Sequence, residues 1–183
     1  MAPLLAFSRA TDRLNNATGH LADWAVLLSC AISAGNAFVR YGISYSSNAW
    51  LEVQWYLFAA IVMLGCSNTL FRNEHVRVDL VYGALGHRAK LWVDVLGTIV
   101  FLLPATALLA WMTWPFFLDA FIRGEGSANP GGLIRWPVKI LMPLGFGLLT
   151  LQGLSELFKR IALLRGIPLG GAEVHAEYHR PEQ

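Results

Sequence analysis

The sequence predicts an all-α integral membrane protein with four transmembrane helices and both termini cytoplasmic, and it leaves room for interfacial amphipathic helices. Three observations carry that reading. Of the 183 residues, 55% are hydrophobic and only 14% charged, against about 25% charged in ordinary soluble domains. Four charge-free runs, Trp24 to Val39, Val53 to Phe71, Val95 to Leu118 and Ile140 to Ser155, are each extendable to the ~20 residues that cross a bilayer. The basic residues are distributed unevenly about those runs. Arg9, Arg13, Arg72, Arg77, Arg88, Lys90, Lys159, Arg160, Arg165 and Arg180 fall on one side, and Arg40, Arg123, Arg135 and Lys139 on the other. The positive-inside rule puts the richer side in the cytoplasm. All seven tryptophans lie near expected helix ends, where an amphipathic indole prefers to sit.

The chain divides into a cytoplasmic or interfacial amino-terminal segment (1–20), a four-helix transmembrane domain (21–161) and a flexible cytoplasmic tail (162–183). The helices are expected at about 21–45, 49–71, 91–118 and 137–158. The opening residues lack the order of a cleaved signal, because Arg9 and Arg13 follow the first apolar residues. Cys30 and Cys66 lie inside apolar runs without CxxC spacing, which reads as packing rather than zinc or redox chemistry. A net charge of +2 with basic residues flanking apolar runs argues against a nucleic-acid surface.

The first helix carries a small and polar stripe, Ser29, Ser33, Asn36, Ala37 and Arg40, at helical spacing, suited to close helix packing and hydrogen bonding. Arg40 should lie at a depth similar to Glu52 across a short hairpin, so an Arg40–Glu52 ion pair is expected. The second helix opens Asn48-Ala-Trp50-Leu-Glu52-Val-Gln54, where a carboxylate and an amide near lipid call for polar partners. It leaves through Arg72-Asn-Glu74-His75-Val-Arg77-Val-Asp79. Between Glu74 and Lys90 apolar and charged residues alternate enough for part of the segment to lie along the membrane surface.

In the third helix Pro104 predicts a kink, and Asp94 can meet Arg88 or Lys90. Asp119 and Arg123 form an i, i+4 pair that extends the helix outward. The Gly124 to Gly132 connection is loop; no Lys-Ser/Thr follows its glycines, so it is not a phosphate cradle. Arg135-Trp136-Pro137-Val138-Lys139 opens the fourth helix, with proline suited to a first turn. Gly145, Gly147 and Gly153 suit a close helix contact, and Glu156 with Lys159 and Arg160 reads as a solvated, self-paired exit.

No nucleophile with a base, carboxylate pair, metal-ligand cluster or nucleotide loop stands at working spacing, so no enzyme activity and no cofactor is expected. The five histidines lie outside the charge-free runs, which argues against a haem or quinone anchor. Glu52, Asp94 and Glu156 all sit at helix ends, where a proton-driven carrier would need ionisable groups in mid-membrane. An accessory subunit fits this pattern better than a self-sufficient oligomeric carrier or channel coupled through Glu52.

The four-span layout, the Asn48 to Gln54 start, the Arg72-Asn-Glu-His-Val-Arg-Val-Asp79 exit and the Gly131-Gly-Leu-Ile-Arg-Trp-Pro-Val-Lys139 approach together resemble the DctQ-like small membrane subunit of TRAP (tripartite ATP-independent periplasmic) transporters. The resemblance covers roughly residues 20–160, and the His-Val-Arg-Val-Asp motif is its most specific part. It implies a bacterial inner-membrane complex. A periplasmic binding protein delivers an organic acid, a large multi-span subunit moves it on a sodium gradient, and the small subunit supports the large one without a substrate site of its own. Membrane lipids are its other neighbours. Candidate structural or partner-interface residues are Arg40, Trp50, Glu52, Gln54, Glu74, His75, Arg77, Asp79, Arg135, Trp136 and Lys139. On this reading Glu52 is neutralised by Arg40, and Glu74, Arg77 and Asp79 pair among themselves or with the large subunit.

Overall fold

A computed structural model describes residues 2–75, 82, 85–167 and 169. Within them the chain is all-helical: α1 (Ala2–Ile43), α2 (Asn48–Phe71), α3 (His87–Gly97), a π-helical turn (Thr98–Leu102), α4 (Leu103–Ile122), α5 (Trp136–Lys139) and α6 (Leu141–Leu164). Four helical stretches, Ala2–Ile43, Asn48–Phe71, His87–Ile122 and Trp136–Leu164, are long and apolar enough to cross a membrane. Arg77, Asp79 and most of the expected surface segment (76–81, 83, 84) lie outside the described residues, as do 168 and 170–183 of the tail.

Ala2–Ile43 is one helix with no break at residue 20. At 1.5 Å per residue its 42 residues extend about 63 Å, more than the ~45 Å of a whole bilayer. The excess is used at the amino-terminal end. There Leu5 packs with Ala162, with Ile167 and Leu169 against them.

Sequence chemistry explains the helix ends. Ser47 caps α2 by accepting from the Ala49 N–H at 3.3 Å. At the far end Asn73 takes the left-handed conformation (φ 58°), with Glu74 N–H to Thr69 O and Asn73 N–H to Leu70 O, the bond pair that closes a helix terminus. Pro104 has no N–H to give Val100, and its ring crowds that carbonyl. The turn before it widens, and Leu103 N–H reaches back to Thr98 O. The irregularity expected at Pro104 is therefore taken up as a π-turn.

α6 is the hub. It packs against α1, α2, α4 and α5 and meets α3 and the π-turn, while α1 and α2 form a hairpin against it. Glycines bring α6 close. A Cβ on Gly145 would lie 2.7 Å from the Met63 carbonyl oxygen, and one on Gly153 would lie 3.1 Å from side-chain atoms of Leu102 and Leu103. Thr150 and Thr106 exchange a 2.9 Å hydrogen bond between α6 and α4. Much of the remaining apolar surface points outward, including Trp92, Phe101 and Trp111 of the third span.

Gly145 and Gly147 differ only in what they face, since nothing lies within 4 Å of a Cβ at Gly147. Gly145→Ala must therefore push against α2 backbone, and it should lower the melting temperature of the detergent-solubilised protein by several degrees. Gly147→Ala should leave it unchanged or raise it, because alanine favours helix by up to about 1 kcal/mol over glycine.

Candidate functional site

Two polar clusters close the bundle, one at each end. The first is built on the start of α2. Asn48, Glu52 and Tyr56 recur every four residues and so share one helix face, and that face meets the 123–135 connection. Asn48 Nδ2 donates to Pro130 O at 2.9 Å, and Tyr56 OH donates to Ile134 O at 3.0 Å. Between them Glu52, 4% exposed, accepts from the Ser127 hydroxyl, from Asn129 Nδ2 at 3.0 Å and from the Leu133 backbone N–H at 2.7 Å.

The connection is shaped for this. Gly126 and Ile134 form an antiparallel bridge, Ser127 N–H bonds to Leu133 O, and Arg135 N–H bonds to Glu125 O. Gly131 stands at φ 72°, and a Cβ on Gly132 would sit 2.4 Å from Ser127 Cβ and 2.7 Å from Glu52 Oε1. Glycine is thus required where the loop folds onto the carboxylate. Just behind, Glu125 pairs with Lys139 and lies 3.8 Å from Arg135. Lys139 also sits 3.9 Å over the Phe116 ring, and Trp136 meets Phe121 edge-on at 5.5 Å.

The expected Arg40–Glu52 ion pair does not form. Glu52 turns to the loop, where both of its oxygens are occupied, and Arg40 is exposed on α1. The cation whose field reaches Glu52 is Arg135. Of the remaining candidates, Trp50, Glu74 and His75 are exposed and Gln54 is half-buried. The structure therefore joins Glu52, Arg135, Trp136 and Lys139 around one loop and leaves Arg40, Glu74 and His75 outside it.

The second cluster lies where α1 passes α6 near the chain ends. Lys159, fully buried, donates to Asp12 Oδ1 at 2.8 Å and Glu156 Oε1 at 2.9 Å, and lies 5.2 Å from the Phe71 ring centroid. Gln152 Nε2 donates to the same two oxygens, and its own Oε1 accepts from Asn15 Nδ2 at 2.6 Å. Ser155 Oγ donates to Asp12. Arg160 joins Glu156 at 2.6 Å to Asp94 at 3.0 Å, and Tyr82 OH adds a bond to that Asp94 oxygen. The network thus fastens α1 and α3 to α6.

This overturns the reading of Glu156, Lys159 and Arg160 as a solvated exit, since none of the three is more than 7% exposed. Glu156 does pair with both cations of its own helix, but the amino-terminal extension covers the group and adds Asp12. Asp94 accepts from Arg160. By contrast the exposed Asp119–Arg123 pair forms as expected, at 2.7 Å.

Residues 29–163 match the family described as Tripartite ATP-independent periplasmic transporters, DctQ component. The chain belongs to the DctQ family. No curated protein and no solved structure gives a significant match. DctQ proteins are transporter components, not enzymes, and the family name places them in three-part transporters. In this DctQ chain the loop-end cluster lies wholly inside the matched region. The other cluster straddles its edge: Gln152, Glu156, Lys159 and Arg160 fall within it, while Asp12 and Asn15 precede it. Sequence reasoning missed Glu125, Ser127 and Asn129 because they sit in a connection whose fold is long-range. It missed Asp12 because a single carboxylate before an apolar run carries no signal of its partner.

Lys159→Met takes away the ammonium that Asp12 and Glu156 share and leaves Glu156 with Arg160 alone, a change that costs about 3–5 kcal/mol at buried pairs. Chemical unfolding in micelles should show that loss, and Asp12→Asn in the same chain should restore part of it. At the other end, Glu52→Ala and Gly132→Ala should each raise the rate of proteolytic cleavage between residues 124 and 135 several-fold. Gly126→Ala, whose Cβ would meet nothing within 4 Å, should not.

Proposed function

We propose that this DctQ chain is the fixed membrane support of a sodium-driven, binding-protein-dependent importer of organic acids in a bacterial inner membrane. It holds the large multi-span subunit and carries no substrate site. Both termini are cytoplasmic in this arrangement, and the periplasmic binding protein docks on the side of the 123–135 loop.

The observation that carries the reading is the placement of charge. The carboxylates of Glu52, Asp12 and Glu156 are all bound by donors of the chain itself, at the two ends of the bundle. Between those ends the α4–α6 contact is made by threonine hydroxyls and glycines. A moving ion pathway needs exchangeable polar groups in mid-membrane, whereas a support needs ends that do not open. Both Glu52 oxygens accept from donors of the loop, which opposes their use by a coupling ion. The third span packs on α6 and exposes an apolar face, as suits contact with a partner's helices.

Arg40, Trp50, Gln54, Glu74 and His75 are not consumed by either cluster, and with Arg77 and Asp79 they are the residues we assign to partner contact. Arg77→Ala and Asp79→Ala should each reduce co-purification of the large subunit when the two genes are co-expressed, by several-fold. Full recovery of the complex and full uptake in both variants would sink the interface assignment. Uptake into liposomes containing this chain alone would exclude the support role.

A further inference from the structure

The π-turn of the third span leaves backbone oxygen short of hydrogen. In a regular α-helix Leu103 N–H would serve Ile99 O, and residue 104 would serve Val100 O. Here Leu103 N–H bonds to Thr98 O and Pro104 has no N–H, so Ile99 O loses both its regular donor and the i+5 donor of a wider turn. Beyond Pro104 the next N–H in reach of Val100 O is that of Ala105. Thr106, the next hydroxyl along the helix, donates to Leu102 O at 2.9 Å instead.

This opening lies on the bare side of the span. Ile99 is 46% and Val100 56% exposed, and Pro104 and Ala107, which follow Val100 on the same face, are exposed as well. Its depth follows from Gly153, which packs on Leu102 and Leu103. Along α6 that level is about 10 Å from Arg160 and about 20 Å from Ile140. It is inside the hydrocarbon, where no water meets a carbonyl and an unserved one is costly. Pro115 makes the contrast. It also interrupts the ladder, at Trp111 O, but beside Trp114 near the outer end of the span, where interfacial water serves the oxygen.

The chemistry selects the occupant. Acyl chains have no hydrogen-bond donor. A second copy of this chain has none to spare near that depth, because Ser67 and Thr69 donate to carbonyls of α2 and Thr106 and Thr150 are engaged between α4 and α6. A spanning helix of a different chain can bring its own donor, and the family's transporters have three parts.

We propose that the π-turn is a docking notch in which a spanning helix of the large subunit lies against Val100, Pro104 and Ala107 and donates a side-chain hydroxyl or amide hydrogen to the carbonyls that Pro104 leaves open. The small Ala107 lets the two helices approach closely. The inference rests on the support role proposed above and specifies one place at which the large subunit is held.

Pro104→Ala tests it, because alanine returns the missing N–H and lets the helix close. Two readouts should then move in opposite directions. The purified chain alone should melt several degrees higher, while the large subunit recovered with it on co-expression should fall at least about five-fold. Pro115→Ala should leave that recovery unchanged. A benzophenone side chain placed at Val100 in the otherwise native complex should capture the large subunit on illumination. Undiminished recovery with Pro104→Ala, or adducts at Val100 to lipid or to a second copy of this chain in place of the large subunit, overturns the inference and leaves the support role standing. A lower melting temperature together with lost recovery makes Pro104 a folding residue and also overturns it. Uptake into liposomes by this chain alone removes the support role, and the notch with it.

Discussion

The burial of Lys159 is the constraint on which the arrangement of this protein depends. An ammonium removed from water is tolerable only where carboxylates and hydrogen-bond acceptors replace its hydration, and here the required groups come from two helices. Glu156 is one turn back on α6, but Asp12 belongs to the far end of α1. That pairing sets the register of α1 against α6. It also explains why α1 is longer than a membrane needs: its first four turns are there to deliver Ser8, Asp12 and Asn15 to α6. Arg160 repeats the device toward Asp94, so the third span is aligned on the same helix.

The loop-end cluster solves a different problem with the same physics. α2 begins beyond the start of α6, and its first turns have no neighbouring helix on the Asn48–Glu52–Tyr56 face. The 123–135 connection supplies one by folding over and presenting its backbone to that face. A carboxylate is the suitable centre because it accepts from several donors at once, here a hydroxyl, an amide and a peptide N–H. Gly132 permits the approach, and the Glu125 pairs with Arg135 and Lys139 tie the loop to the first turn of the fourth span.

How much of this could be read in the sequence follows from the range of each interaction. The four spans were legible because apolar run length is a local property, and the Asp119–Arg123 pair because helical spacing alone creates it. The disturbance at Pro104 was legible too, since a missing N–H is a property of one residue. Its form as a π-turn was not, because that depends on how the preceding turn accommodates the ring. Glu52 was recognisable as a carboxylate in need of partners. Arg40 was the wrong partner because matched depth does not fix which way round α2 the carboxylate points. Glu156, Lys159 and Arg160 misled in the opposite direction. Their local pairing was correct, and it looked complete, so nothing in the sequence required the amino-terminal helix to cover them.

The two clusters together bear on how such a chain can serve a larger assembly. Both fastenings run through α6 or its α5 lead-in, and the third span is held by α6 along its length while its outer face stays bare. A helix that meets every other span through close glycine contacts and buried charge cannot slide without exposing an ion or opening a cavity, each costing several kcal/mol. α1, α2 and the third span are therefore referenced to one rigid element. Movement of a partner against any of their outer faces is movement against the whole chain. That rigidity is what the proposed support role draws on, and it arises from where the charges are placed along four helices.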